Sequence, residues 1–317
     1  MKKKITIFIS SMKGSPRLGH LTKRLEELNL KYKIFYGIDG KNEKEKKILY
    51  SQYDRKRVFK YLGREMGINE IGNMWKAIKI YKYAIKKKLQ NIICFDDDFY
   101  PSHLFKEWID NKVYFKGNKI IQFHSNPTGF LKKKSIRVLN DKIKVHYAQT
   151  HLFSSGGSQV TIGFMKKFLK ITKEKTIGLG DYPFNFLKND IELMQTIPFL
   201  GYPDDHGFSY LAPDRKSYER TYFKKIRIFI YKKFSTERTN FFLNILRVPY
   251  YLLFIPFLFR KYKNFDYYME YYFDKQLYKI KNLLFRSYID IEDIYAKKSN
   301  YPKDLRKYVV HRVFNHK

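Results

Sequence analysis

The sequence predicts an α/β protein: a mostly parallel sheet flanked by helices, with an α-helical, aromatic and basic extension at its C-terminal end. Three observations predict this. β-Branched and aromatic runs alternate with helix-period segments through the first two thirds of the chain. The run Ile92-Ile93-Cys94-Phe95 is apolar throughout, as a strand buried on both faces is, and it ends in Asp96-Asp97-Asp98. From about residue 215 the chain turns basic and rich in tyrosine and phenylalanine, which sets a division into 1–214 and 215–317.

The elements follow in order. Residues 4–10 alternate β-branched and aromatic side chains, as a first strand does. The loop Ser11-Met12-Lys13-Gly14-Ser15-Pro16 leads into a helix from Arg17 to Leu28, with Leu18, Leu21, Leu25 and Leu28 on one face. Tyr32–Tyr36 is a second strand, closed by Gly37-Ile38-Asp39-Gly40. Helices are expected over 41–62 and 69–88, the second capped by Asn69, with Trp75, Ile78 and Tyr81 or Ala84 facing inward. Strand 91–95 delivers the acids. Further strands fall at 119–124 and 159–164, and helices at 164–173 and 182–188, before a polar loop at 204–209. A mostly parallel sheet binds its ligand at the carboxyl ends of its strands, and both Asp39 and the acid run fall at such ends.

Composition bounds the partners. With 317 residues the chain holds one catalytic domain plus something smaller. A single cysteine, Cys94, excludes a disulfide framework and points to a reducing compartment. Met1-Lys2-Lys3-Lys4 starts like a secretion signal, but the apolar stretch 5–9 is too short for one, and the expected location is cytosolic. The formal net charge of +34 is spread along the whole length, and no zinc-ligand pattern, RRM-type signature or helix-turn-helix accompanies it. It favours an anionic membrane surface or an acidic acceptor over nucleic acid. Segment 241–259 contains Asn244, Arg247 and two prolines, which suits in-plane contact with the inner membrane, or packing on the catalytic domain, better than a span.

Adjacent carboxylates repel and are costly to desolvate, so Asp96-Asp97-Asp98 at a strand's end asks for an explanation. A divalent cation, Mn²⁺ or Mg²⁺, is one, because both take oxygen ligands; an acidic turn capping the next helix is the other. Four more clusters have paired readings. Arg17 at a strand-to-helix turn suits a diphosphate, or is a surface arginine. Asp39-Gly40 can receive a ribose or base, or is an ordinary Asp-Gly turn. Ser154-Ser155-Gly156-Gly157-Ser158 allows close approach of backbone to a sugar or phosphate, or is a hairpin turn. Asp181 is a candidate general base or a helix N-cap, and His206, in Asp204-Asp205-His206-Gly207, is a candidate metal ligand or a solvated histidine.

In this order the motifs resemble glycosyltransferase family 25. Arg17 and Ile38-Asp39-Gly40 match its early arginine and Val-Asp-Gly-like triplet, and Glu70-Ile71-Gly72 its Gly-Glu-Ile-Gly segment. Asp96-Asp97-Asp98 stands for its Glu-Asp-Asp, residues 157–168 for its later strand and helix, and Asp181 and 198–209 for its last segments. The likeness covers residues 4–212. Trp75-Lys76 replaces the family's Ser-His. The resemblance implies a GT-A fold and transfer of a hexose, galactose by family likeness, from a UDP-sugar to a bacterial surface glycan such as lipooligosaccharide. It further implies that Arg17, Asp39, Gly40, Asp96, Asp97, Gly156 and Gly157 contact the donor. Asp96, Asp98 and His206 would hold Mn²⁺ or Mg²⁺, and Asp181 would act as base. The alternatives are a metal-dependent sugar-phosphate transferase of capsule synthesis and a non-catalytic basic protein that binds membrane or nucleic acid.

Overall fold

The computed structural model describes residues 5–38, 42–62, 65–125, 129–149, 152, 156–175, 190–203, 288–295 and 297–306. The chain runs β1 (Thr6–Ser11), α1 (Leu18–Glu27), β2 (Tyr32–Tyr36), α2 (Glu43–Ser51), α3 (Arg55–Leu62), α4 (Ile68–Lys86), β3 (Asn91–Asp96) and β4 (Phe99–Pro101). It continues through α5 (His103–Asp110), β5 (Lys119–Gln122), β6 (Phe130–Val138), β7 (Ile143–Ala148), β8 (Gly157–Thr161), α6 (Ile162–Thr172), β9 (Glu192–Ile197) and β10 (Gly201–Pro203). The last described elements are β11 (Tyr288–Asp290) and α7 (Ile291–Tyr295).

Nine strands form one sheet in the order β11-β6-β7-β9-β5-β8-β3-β1-β2, and β4 pairs with β10 beside it. Strands β1, β2, β3, β5, β6 and β9 run one way, and β7, β8 and β11 run against them. The sheet is therefore mostly parallel by strand direction, with an antiparallel strand wedged beside β3. Alternation along the strands sorts the core into two layers. Ile7, Ile9, Ile93 and Phe95 face one side, against Leu21 and Leu25 of α1 and Phe105 and Trp108 of α5. Phe8 and Ile92 face the other, against Met74, Ile78 and Tyr81 of α4 and Phe164 and Phe168 of α6.

Several local expectations change. The helix expected over 41–62 is two helices, broken at Gln52–Asp54; Asn42 caps the first through its Oδ1, which accepts from Lys44 N and Glu45 N. Helix α4 starts at Ile68 with Gly67 at its N-cap rather than Asn69, and buried Glu70 reaches back to accept from Gly67 N at 3.1 Å. Glu70, within the family-like triplet, thus closes a helix end. Residues 288–306, expected in a separate extension, complete the sheet and its core. β11 adds to the edge strand β6, Ile291 and Leu305 are fully buried, and Asp304 accepts from Arg24 Nη2 of α1 at 2.6 Å. The helix expected at 182–188, the loop at 204–209 and the segment 241–259 lie outside the described residues. No helix among the described residues is long and apolar enough to cross a membrane.

Candidate active site at the carboxyl ends of β1 and β3

The parallel pairing of β1 and β3 places Ser10 opposite Asp96, so Ser11 and the acid run emerge side by side. Strand β3 ends at Asp96, and a turn at Asp97-Asp98 sends the chain back into β4. This turn separates the three carboxylates. Asp97 is 5% exposed and commits both oxygens to the protein: Ser11 Oγ donates to Oδ2 at 2.7 Å, and Arg17 Nη2 lies 2.7 Å from Oδ1. Arg17 also donates through Nη1 to Asp98 Oδ2 at 3.0 Å. The guanidinium, at the N-cap of α1, thereby pins two consecutive acids. Asp97, a residue expected to contact the donor, holds Arg17 in place.

Asp96 and Asp98 meet on a common side at Gly156. The Asp96 N–H donates to the Gly156 carbonyl at 2.7 Å, because β8 runs antiparallel beside β3 and begins where β3 ends. Gly156 has φ +87°, a conformation that favours glycine. A Cβ there would lie 3.0 Å from Asp98 Oδ1 and 3.4 Å from Asp96 Cβ, so the missing side chain keeps a gap between the two acids. At Gly157 a Cβ would come within 2.6 Å of the Phe99 ring, which is fully buried and stacked on Phe95 with centroids 4.7 Å apart. The sequence-predicted glycines and acids are therefore brought together, and Gly157 serves packing.

The gap and its oxygen donors fit a small divalent cation, which commonly takes one or two carboxylates and completes its shell with water and phosphate. Among the described residues no group of three or more His, Cys, Asp or Glu side chains is placed to hold a metal ion. Asp39, Gly40, Asp181 and His206 lie outside the described residues.

The sequence profile of glycosyltransferase family 25, described as LPS biosynthesis protein, matches residues 4–184, more than half of the chain. The chain belongs to glycosyltransferase family 25. Curated protein sequences give no match. Among solved structures, mannose-1-phosphate geranyltransferase from Thermus thermophilus is 8% identical, with TM-score 0.31, covering 53% of this chain and 60% of its own. A197 from STIV is 15% identical, TM-score 0.29, covering 63% and 85%. A glycosyltransferase involved in the glycosylation of the major capsid of PBCV-1 is 12% identical, TM-score 0.27, covering 53% and 64%. The chain thus spans less than two thirds of the length of the first and third of these.

Two further features of this family 25 chain escape the sequence reading. Lys76, where the family carries histidine, is only 8% exposed, and its stem packs on Gly37, where a Cβ would lie 2.8 Å from Lys76 Cδ. Burial pulls its amine below the usual lysine range. Asp96, Asp97 and Asp98 oppose that pull, while Arg17 adds to it, which places the amine within electrostatic reach of the whole cluster. A signal existed: Lys76 lies on the helix line Gly72–Lys76–Ile80, whose other members are buried. In addition, Ser15 Oγ and Arg17 Nε, in and after the β1–α1 loop, are buried with no hydrogen-bond partner among the described residues.

Proposed function

We propose that this chain transfers a sugar from a nucleotide-sugar donor to a hydroxyl of a glycan acceptor, the donor's diphosphate lying over the carboxyl ends of β1 and β3. The observation that carries this reading is the acid cluster at the ends of β1 and β3: Asp96 and Asp98 flank Gly156, Arg17 pairs with Asp97 and Asp98, and the buried Lys76 amine lies within electrostatic reach of all three acids. Family membership supports it.

Within this reading Asp96 and Asp98 hold Mn²⁺ or Mg²⁺, while Asp97 holds Arg17 in place. If these residues hold a divalent cation, the chemistry it would supply is stabilisation of the charge that develops on the leaving group. Lys76 supplies a fixed positive charge beside the same phosphates from a water-poor position, where it acts more strongly than in solvent. Ser15 Oγ and Arg17 Nε offer two unused donors to phosphate oxygens. Asp181 is the proposed base that takes the proton from the acceptor hydroxyl as it attacks the anomeric carbon. A UDP-hexose, with galactose first, is the donor we would test, and a lipooligosaccharide-type surface glycan the acceptor class. The deciding experiment measures UDP release with Mn²⁺ present. Activity that survives Asp98→Ala, or that no nucleotide-sugar elicits, overturns the proposal.

A further inference from the structure

A second concave feature lies on the other side of Lys76. Between the edge strand β2 and helix α4 is a cleft of about 360 Å³, lined by Phe35, Tyr36, Trp75, Lys79, Tyr83 and Lys86, with Lys76 in its wall. Its volume falls in the range of small-ligand pockets, about 300–1,000 Å³. No acidic residue lines it. Lys79 and Lys86 are exposed, and Lys79 Nζ sits 4.9 Å from the centroid of the Trp75 ring. At the mouth Lys33 donates to the Tyr83 hydroxyl at 3.0 Å and lies 4.1 Å from that ring's centroid. The lysines are thus interleaved with aromatic faces. The Trp75 Nε1–H is buried and finds no acceptor among the described residues, a donor left over on the cleft's own lining.

We infer that this cleft seats an anionic sugar of the acceptor, one bearing a carboxylate or phosphate; the inference rests on the glycosyltransferase reading above and names its substrate class. Three features select this occupant. Flat aromatic rings suit the C–H faces of a sugar. Lysine ammonium groups suit carboxylate and phosphate as point charges; Lys82, also in the lining, pairs with Glu174, whereas Lys79 and Lys86 have no carboxylate among the lining residues. Lys76 belongs both to this cleft and to the electrostatic neighbourhood of Asp96–Asp98, so a sugar bound here lies beside the reacting centre.

The test follows intrinsic tryptophan fluorescence of the full-length protein. There are two tryptophans, and Trp108 is fully buried, so ligand-induced change reports Trp75. The probes are trigalacturonic acid, neutral maltotriose and phosphatidylglycerol vesicles. Saturable quenching by trigalacturonic acid, weakened roughly tenfold in Lys79→Glu/Lys86→Glu and in Lys79→Gln/Lys86→Gln, supports the inference. In both variants the rise in melting temperature caused by the sugar nucleotide with Mn²⁺ should be unchanged, which shows that they fold. Equal binding of maltotriose, unchanged affinity in the variants, or a response to vesicles alone overturns it. Should no sugar nucleotide shift the melting temperature, the glycosyltransferase reading fails by itself, whatever the cleft binds.

Discussion

Asp97 and Asp98 both pair with Arg17, yet the proposed function gives the donor's cation to Asp98 and not to Asp97, and alanine at each position separates the two. In Asp97→Ala a buried carboxylate disappears that accepts from Ser11 Oγ and pairs with Arg17, both at 2.7 Å. Breaking a buried ion pair costs about 3–5 kcal/mol. Here Arg17 keeps Asp98 at 3.0 Å, which brings the expected loss to about 2–3 kcal/mol. For a chain of this size each kcal/mol lowers the melting temperature by about 2–3 °C, so Asp97→Ala should melt about 4–9 °C below wild type. Asp98, with 27% of its side chain exposed, should cost about 1 kcal/mol, or about 2 °C. Donor binding reverses the ranking. A donor present at about a hundred times its Kd stabilises wild type by about 2.7 kcal/mol, and a hundredfold weaker Kd leaves about 0.4 kcal/mol. Thermal melts of both variants, with and without UDP-hexose and Mn²⁺, read both quantities at once. Asp98→Ala should lose the ligand-induced shift and keep most of its stability. A wild-type melting temperature in Asp97→Ala, or an intact donor shift in Asp98→Ala, would refute the assignment.

Three further outcomes are expected. Gly156→Ala should fold with a loss of about 1–2 kcal/mol from its positive φ but lose donor binding, because its methyl fills the gap between Asp96 and Asp98. Gly157→Ala should show the larger fall in melting temperature, because its methyl strikes a Phe99 ring that has nowhere to move. Burial pushes His124 down to about 3, so between that value and the unfolded value near 6.5 only the unfolded chain takes the proton. Stability should therefore fall as pH drops below about 6.5, by about 2 kcal/mol at pH 5, and buried His146 adds to the same trend. A melting series from pH 7.5 to 5 checks this, and His124→Gln should flatten it.

Much of the first half of the fold was legible because its signals are local. β1, α1, β2 and β3 have clean periodicities, and Leu21, Leu25 and Leu28 are buried as their spacing predicts. The hairpin β6–β7 is illegible for a physical reason. Its first strand carries three exposed residues in a row, Lys132-Lys133-Lys134, and a register shift between Leu131 and Ser135 breaks the alternation. β9 buries Gln195 and Thr196 beside Leu193 and Met194, so it shows no apolar face. The return of residues 288–306 to the sheet is a long-range event with no local signature. At the site, the acids and glycines stood out, but the partition of roles among the acids did not, since it depends on a turn after Asp96. Lys76 was hidden by composition: one buried lysine among 64 basic residues draws no notice.

The charge balance at the site leads to a sharper test of the proposed chemistry. Among the described residues Asp96, Asp97 and Asp98 face the cations Arg17 and Lys76, and these five groups together carry one net negative charge when all are ionised. A diphosphate approaching such a cluster meets repulsion. At an effective dielectric of about 20 and a separation of about 4 Å, one pair of unit like charges costs about 4 kcal/mol. Lys76 offsets part of this for the donor, although burial lowers the pKa of its amine. The chain alone should therefore bind a sugar nucleotide poorly, and the donor and a divalent cation should bind as a coupled pair. Melting shifts would then be more than additive: small for UDP-hexose in EDTA, small for Mn²⁺ alone, large for both together. Lys76→Met should weaken the joint shift, since removing the amine leaves the acids less balanced. A full shift with donor in EDTA would show instead that Arg17 and Lys76 suffice for the diphosphate, and the gap at Gly156 would then need another occupant.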